Sequence, residues 1–532
     1  MKIAGVISSH DCSFAVLEDG KPIVHAELER YIRLKEPKGD AFKFLTEEYD
    51  DYKDIQYFAH PLDTWDGGPS KWYPESWERM KDLAEKNNGK LFVVGHHKSH
   101  AANAFFSSNL EDALIITIDG GGRDMKNGYA AAGTITVWEG KDNKIEEIEI
   151  IEESQINIGT MWSSCTEKIF GLSKGYPKGN QCGTVMAMAC MGDPDVYYDE
   201  FYNHRCAHPS QKFFDFEKFK LIADSSEEGR FNVAAALQKS TEVILKEILD
   251  PFVKNTKSKN LCLSGGVVLN SVMTGKLTFD WYKDNFEKVY VCPVPYDAGL
   301  AIGAAQYVWH QHLGNPRIVW EDNFTPYLGF SYSEEQVTAA IQEKSDVVKT
   351  TEATKKDVAE LLSQSNIVSV FSGGSESGRR ALGNRSILAD PRNPDMKDII
   401  NEKVKHRQWF RPFAPSILRE RVSDWFKYDI SSPYMSFVVP FKDEVKDKVP
   451  AVVHFDGTAR LQTVTENDNK WYYDFLKTWE EVSGVPIVLN TSFNDREPIV
   501  ETPEHALNCF LNTDIDYLYF ADFGILVSKL DD

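Results

Sequence analysis

Two histidines four residues apart, His96 and His100, follow Leu91-Phe92-Val93-Val94, a short apolar run that reads as a buried strand. Gly95 releases that strand into His96-His97-Lys98-Ser99-His100-Ala101-Ala102-Asn103-Ala104-Phe105-Phe106, which reads as a helix. An i, i+4 pair shares one helix face, so both imidazoles point the same way, as two ligands to one metal ion must. A second buried strand, Ala113 to Ile118, ends in Asp119-Gly120-Gly121-Gly122. A carboxylate at a strand end, followed by glycines with free backbone N–H groups, suits a metal beside phosphates. Alone, His-x-x-x-His is more often a satisfied buried pair; the Asp-Gly-Gly-Gly partner turns the reading toward a site. Beyond the strand Val289 to Val291, Asp297 stands before a small-residue helix, in position to be a further ligand.

Other turns carry anion chemistry. Leu261-Cys262-Leu263 runs as a strand into Ser264-Gly265-Gly266-Val267-Val268-Leu269-Asn270 and then a helix, aiming N–H groups and a positive helix end at an anion. The strand Ile367 to Phe371 leads into Ser372-Gly373-Gly374-Ser375-Glu376-Ser377-Gly378-Arg379-Arg380-Ala381-Leu382-Gly383-Asn384-Arg385-Ser386. Glycines with three arginines and several hydroxyls describe an anion pocket. Arg411, Arg460 and the turn Asn490-Thr491-Ser492-Phe493-Asn494 add to it. The densest cationic stretch, Lys403 to Arg411, carries Trp409 and Phe410 and runs into Pro412-Phe413-Ala414-Pro415, too apolar for a solvated face. No nucleophile stands beside an evident base of its own in this region, so the array is read as binding phosphate and carbonyl oxygens and stabilising charge in transfer.

The elements that must position these groups form a pattern. Lys2 to Ser8, Ser13 to Leu17 and Pro22 to Ala26 read as three strands joined by turns, and Leu114 to Ile118, Ala130 to Trp138 and Ile145 to Ile151 repeat the arrangement. Two β-β-β meanders imply a duplicated α/β unit. The polar stretch from about Gly329 to Lys356 sets the expected boundary, with domains at 1–350 and 351–532. A chain of 532 residues is too long for one core. No apolar run approaches the ~18 residues of a membrane span. The N-terminus opens as a strand and lacks a signal-type apolar region, and eight scattered cysteines form no Cys-x-x-Cys pair, so the chain is expected to be cytosolic with reduced thiols. A net charge of −22 argues against a broad nucleic-acid grip but leaves room for a local basic pocket.

The chain resembles the NodU/CmcH family of O-carbamoyltransferases, which carbamoylate Nod factors, cephems and aminoglycosides. The resemblance runs nearly end to end: His10-Asp11, His96-His97-x-x-His100-Ala101, Asp119-Gly120-Gly121, Gly265-Gly266-Val267-x-Leu269-Asn270 and Asp297; then Arg380-Ala381-Leu382-Gly383-Asn384-Arg385-Ser386, Phe410 to Pro415, Asp456-Gly457-Thr458-Ala459-Arg460-x-Gln462, Leu489 to Asn494 and Glu497 to Val500. It implies an α/β fold: a duplicated ASKHA (actin/Hsp70-like) domain followed by a smaller YrdC-like domain. It also implies a reaction in which carbamoyl phosphate and ATP form carbamoyl adenylate in the C-terminal domain, and a hydroxyl acceptor takes the carbamoyl group in the N-terminal one. Carried over by motif, His96, His100, Asp119 and Asp297 would ligate a metal. Two imidazoles and two carboxylates suit Fe²⁺, Mn²⁺ or Zn²⁺ better than Mg²⁺, and the family's usual metal is iron; Mg²⁺ is expected with ATP. Gly121, Gly122, Gly265, Gly266 and Asn270 would lie at the nucleotide. Arg380, Lys405, Arg411, Arg460, Asn490 and Ser492 would form the adenylating pocket, with Lys405, Arg411, Arg460 and Ser492 in catalytic roles. His10 and Asp11 are the candidates for acceptor binding, with His10 as general base. Arg379 stands where the family usually has proline, Gly374 where arginine is common, and Gln181 to Met186 lacks the family's Glu and Lys. The expected acceptor is a small-molecule hydroxyl or a modified nucleoside; a hydroxymethylated base in nucleic acid and a plain ASKHA kinase or ATPase are the alternatives.

Overall fold

In the computed structural model, which describes residues 1–62, 69–126, 129–172, 181–208, 210 and 212–530, the two expected meanders head two sheets of one topology. The first holds Lys2–Ile7 (β1), Ser13–Glu18 (β2), Lys21–Glu27 (β3), Tyr57–Pro61 (β4) and Leu91–Val94 (β5) in the order β3-β2-β1-β4-β5. The second holds Asp112–Lys126 (β6), Tyr129–Lys141 (β7), Lys144–Glu152 (β8), Asn260–Ser264 (β9) and Lys288–Val291 (β10) in the order β8-β7-β6-β9-β10. In each, the first three strands are antiparallel and the last two add in parallel. That is the duplicated ASKHA arrangement.

Two buried helices tie the halves together. His96–Phe106 packs against Leu300–Tyr307, and Gly303 lets them touch, since a Cβ there would lie 1.9 Å from Ser99 O. Ala101, Ala102, Ala104, Phe105, Ile115, Trp138 and Ala304 form one core around them. Asn103 Nδ2 donates to Val294 O at 2.9 Å, holding the histidine helix to the segment before Asp297. The chain divides into units Met1–Phe324 and Thr325–Asp532.

The second unit is built on nine strands: Val348–Glu352 (β11), Val368–Phe371 (β12), Arg385–Ala389 (β13), Ala414–Leu418 (β14), Phe437–Pro440 (β15), Thr458–Val464 (β16), Ile487–Ser492 (β17), Tyr517–Phe520 (β18) and Ile525–Lys529 (β19). They lie in the order β11-β19-β18-β12-β13-β17-β14-β16-β15. The division therefore falls before the expected 350/351 boundary. β11 pairs with β19, and the helix Glu334–Gln342 packs on Pro503–Leu511. The segment looked like a linker because β11 is an edge strand with one buried residue, Val348. Among the described residues no helix is long and apolar enough to cross a membrane.

Candidate functional site

The four expected ligands converge. One ligand atom from each of His96, His100, Asp119 and Asp297 lies within 4.8 Å of every other. His100 Nε2 is 2.9 Å from Asp119 Oδ2 and 3.5 Å from Asp297 Oδ1; His96 Nε2 is 3.4 and 3.9 Å from the same atoms. Ligand atoms ~2.1 Å from a tetrahedral ion would stand about 3.4 Å apart, so these separations and this N₂O₂ donor set fit a borderline divalent metal. Ser264 Oγ, 3.4 Å from His100 Nδ1, orients the ring so that Nε2 faces the cluster. Burial opposes charging His100, but Asp119 and Asp297 outweigh it and push its pKa up to about 9. Burial also works against the charged Asp119, yet bonds from His100 and His96 hold it well below the usual carboxylate range.

The glycines after Asp119 do not end the strand, as the sequence suggested. β6 continues to Lys126, with a bulge between Ile118, which pairs with Ile135, and Gly122, which pairs with Gly133. The bulge displaces Asp119 from the ladder and uses Gly121 at φ 153°. Beyond it, Asp124 turns back: its carboxylate accepts His97 N–H at 2.9 Å and Lys98 N–H at 3.1 Å, capping the histidine helix from another strand. Gly122 lies against the site, where a Cβ would be 2.2 Å from His96 Cδ2. Gly266 also borders it: its Cβ would lie 3.1 Å from Asp119 Oδ1. Gly265 has φ 97° and follows β9 as expected. Asn270 caps the next helix through Met273 N–H at 3.1 Å and exchanges bonds with Gln238 at 2.8 and 3.2 Å. His10 is brought in from the β1–β2 turn. Its Nε2 is 3.3 Å from Asp297 Oδ2, its Nδ1 is 3.0 Å from Asp11 Oδ2, and its side chain is 52% exposed.

In the second unit the expected residues separate into two kinds. Burial, then the like charges of Arg380, Arg407 and Arg411, hold the Arg460 guanidinium well below its ordinary range. Among the described residues no carboxylate pairs with Arg407, Arg411 or Arg460. Arg407 was not singled out from the sequence; its place in the Lys403–Arg411 stretch was the available signal. Lys405, by contrast, is 2% exposed and its ammonium already reaches Ser492 O, Asn494 O and Asn494 Oδ1, so it ties a helix end to the turn after β17. Ser492 Oγ donates to Asn494 Oδ1 at 2.7 Å in the same knot. Asn490 is 1% exposed and donates to Ala381 O, Ser416 Oγ and Gln462 Oε1, supporting the Arg380 loop from beneath. Arg385, counted in the anion pocket from sequence, is fully buried 3.5 Å over the Phe371 ring and bonds Ser372 O and Gly373 O. It braces the loop and is no anion ligand. A Cβ at Gly374 would fall 2.4 Å from Gly329 O, which accounts for glycine there.

A duplicated ASKHA domain in which two imidazoles and two carboxylates converge, followed by an arginine-rich α/β domain, defines a class, and the comparisons name it. Residues 70–306 match the family model for the carbamoyltransferase N-terminus and residues 359–527 that for the carbamoyltransferase C-terminus. The chain belongs to this family and is a carbamoyltransferase. It is 30% identical to the uncharacterized protein sll1178 of Synechocystis, over 97% of this chain and 94% of that protein. It is 34% identical to nodulation protein NolO of Bradyrhizobium diazoefficiens, over 81% of this chain and 78% of the relative. Of solved structures, HypF of T. kodakarensis aligns at 14% identity and a TM-score of 0.37, covering 59% of this chain and 48% of that one.

Proposed function

We propose that the protein is an ATP-dependent O-carbamoyltransferase in which the second unit makes carbamoyl adenylate and the first transfers its carbamoyl group to a hydroxyl. Balanced, carbamoyl phosphate, ATP and water give carbamoyl adenylate, phosphate and pyrophosphate; the acceptor oxygen then bonds the carbamoyl carbon as AMP leaves. One observation carries the reading: four arginine side chains, Arg380, Arg407, Arg411 and Arg460, gather, and among the described residues no carboxylate neutralises Arg407, Arg411 or Arg460. A partly desolvated cluster of like charge calls for an anion, and phosphates meet it. His96, His100, Asp119 and Asp297 would hold a divalent transition metal, which when bound supplies Lewis acidity toward a carbonyl oxygen. Burial opposes charging His10, but Asp297 and then Asp11 outweigh it and raise its pKa to about 10. Only the neutral ring, with Asp11 accepting from Nδ1–H, could therefore take the acceptor hydroxyl's proton at Nε2.

Pyrophosphate release from ATP, measured with and without carbamoyl phosphate, tests the scheme. It is expected only when carbamoyl phosphate is present, and Arg411→Ala should abolish it in a folded protein. Release of phosphate alone from ATP, independent of carbamoyl phosphate, would mark a kinase or ATPase instead.

A further inference from the structure

The arginine cluster accounts for the phosphate of a carbamoyl phosphate but not for its amide nitrogen. Guanidinium groups only donate, and the carbamoyl NH₂ is itself a donor. It needs an acceptor, and His454, close enough to Arg460 to feel its charge, offers one.

The chain folds into a tight turn before β16: Gly457 N–H reaches His454 O at 2.9 Å and His454 N–H reaches Thr458 O at 2.7 Å. Thr458 Oγ1 donates to Asp456 Oδ1 at 2.7 Å. A carboxylate only accepts, so the hydroxyl proton is committed, and Thr458 Oγ1 faces His454 Nδ1, 3.1 Å away, as an acceptor. Asp456 and Thr458 therefore fix the tautomer: His454 carries its proton on Nδ1 and presents a lone pair at Nε2. That Nε2 is buried and has no hydrogen-bond partner among the described residues. Thr458 and Arg460 are two apart on β16, so their side chains share a face. Burial, together with Arg460 and Lys397, prevails over Asp456 and lowers the imidazole pKa to about 4, so the ring is neutral at physiological pH.

We infer that His454 Nε2 accepts a hydrogen bond from the carbamoyl NH₂, so that it selects carbamoyl phosphate over acyl phosphates of the same charge. The inference rests on the reading of the arginine cluster as the carbamoyl phosphate site. His454 is then a specificity-determining residue, and Thr458 its positioning residue.

Calorimetric titration of the full-length protein with carbamoyl phosphate, acetyl phosphate and inorganic phosphate tests it. Acetyl phosphate has the same leaving group but a methyl in place of NH₂. The wild type should prefer carbamoyl phosphate by at least about ten-fold, because an acceptor built for an N–H is left unpaired by the methyl. In His454→Ala the preference should fall to within about two-fold, with acetyl phosphate affinity unchanged. Thr458→Val should erode the preference and Thr458→Ser restore it, a readout that stands even if the histidine variant does not fold. A preference untouched in His454→Ala, or equal weakening of both acyl phosphates, overturns the inference. If Arg460→Ala leaves inorganic phosphate binding unchanged, the cluster is not the anion site, and the proposed function and this inference fail together.

Discussion

Three histidines on one helix have different work, and their hydrogen bonds say which. His96 and His100 aim Nε2 at Asp119 and Asp297, whereas His97 has both ring nitrogens engaged, with Thr117 Oγ1 at 2.7 Å and Gly133 O at 2.9 Å. Elemental analysis of purified protein should find about one transition-metal ion per chain, most of it lost in His100→Ala. His97→Ala should keep the metal yet be less stable by roughly 1–3 kcal/mol, the cost of orphaning buried partners. Equal metal in wild type and His100→Ala would sink the metal assignment. The His-x-x-x-His pair was legible because helical period alone puts both rings on one face. His10 was singled out for the acceptor only from its place at the first turn, with no sign that it reaches Asp297, and Arg385 and Asn490 were misread or half-read. For those residues the outcome depends on which side of a strand faces the core, and side-chain type does not encode that.

At the scale of elements, the site is held by a bulge, a cap and a close helix contact. Gly122→Ala tests the bulge. Gly122 lies outside the positive-φ glycines, so alanine suits its backbone, and the damage would come from the Cβ pressing on His96. The variant should keep its circular dichroism spectrum while metal affinity drops at least about ten-fold; unchanged affinity would show that His96 is not so confined. His310 offers a second test. It is 1% exposed, its ring packs tilted against Phe106 at the end of the histidine helix with centroids 4.3 Å apart, and burial, with Arg317 adding to it, lowers its pKa from 6.5 to about 4. The unfolded chain therefore takes up this proton first as pH falls. The contribution is nil above about pH 6.5, and the loss grows down to about pH 4, reaching about 2 kcal/mol at pH 5. Urea unfolding at pH 7 and pH 5 should show that loss in the wild type and a smaller one in His310→Gln. Both meanders could be read from strand period and turn residues. The run of β6 past its glycines could not, because Asp-Gly-Gly-Gly reads as a turn whether the ladder ends there or bulges and resumes. Residues 325–350 misled for a similar reason: an edge strand exposed on most of its length has a linker's composition.

For the molecule as a whole, the division into a unit with two five-stranded sheets and a unit with one nine-stranded sheet, with the chemistry proposed for each, leads to a separation of half-reactions. Making an adenylate requires pyrophosphate charge to be neutralised, which arginines do well. Transfer to a hydroxyl requires a carbonyl to be held and polarised, and the donor set for a divalent ion lies wholly within Met1–Phe324. A His96→Ala/His100→Ala double variant should therefore release pyrophosphate and form carbamoyl adenylate at near wild-type rate, yet carbamoylate no acceptor. Arg460→Ala should fail at the first step but transfer the group when carbamoyl adenylate is supplied. Mass spectrometry of quenched reactions distinguishes the two species. If the metal-site variant forms no adenylate while remaining folded, both steps depend on one site, and the assignment of one chemistry to each unit is wrong.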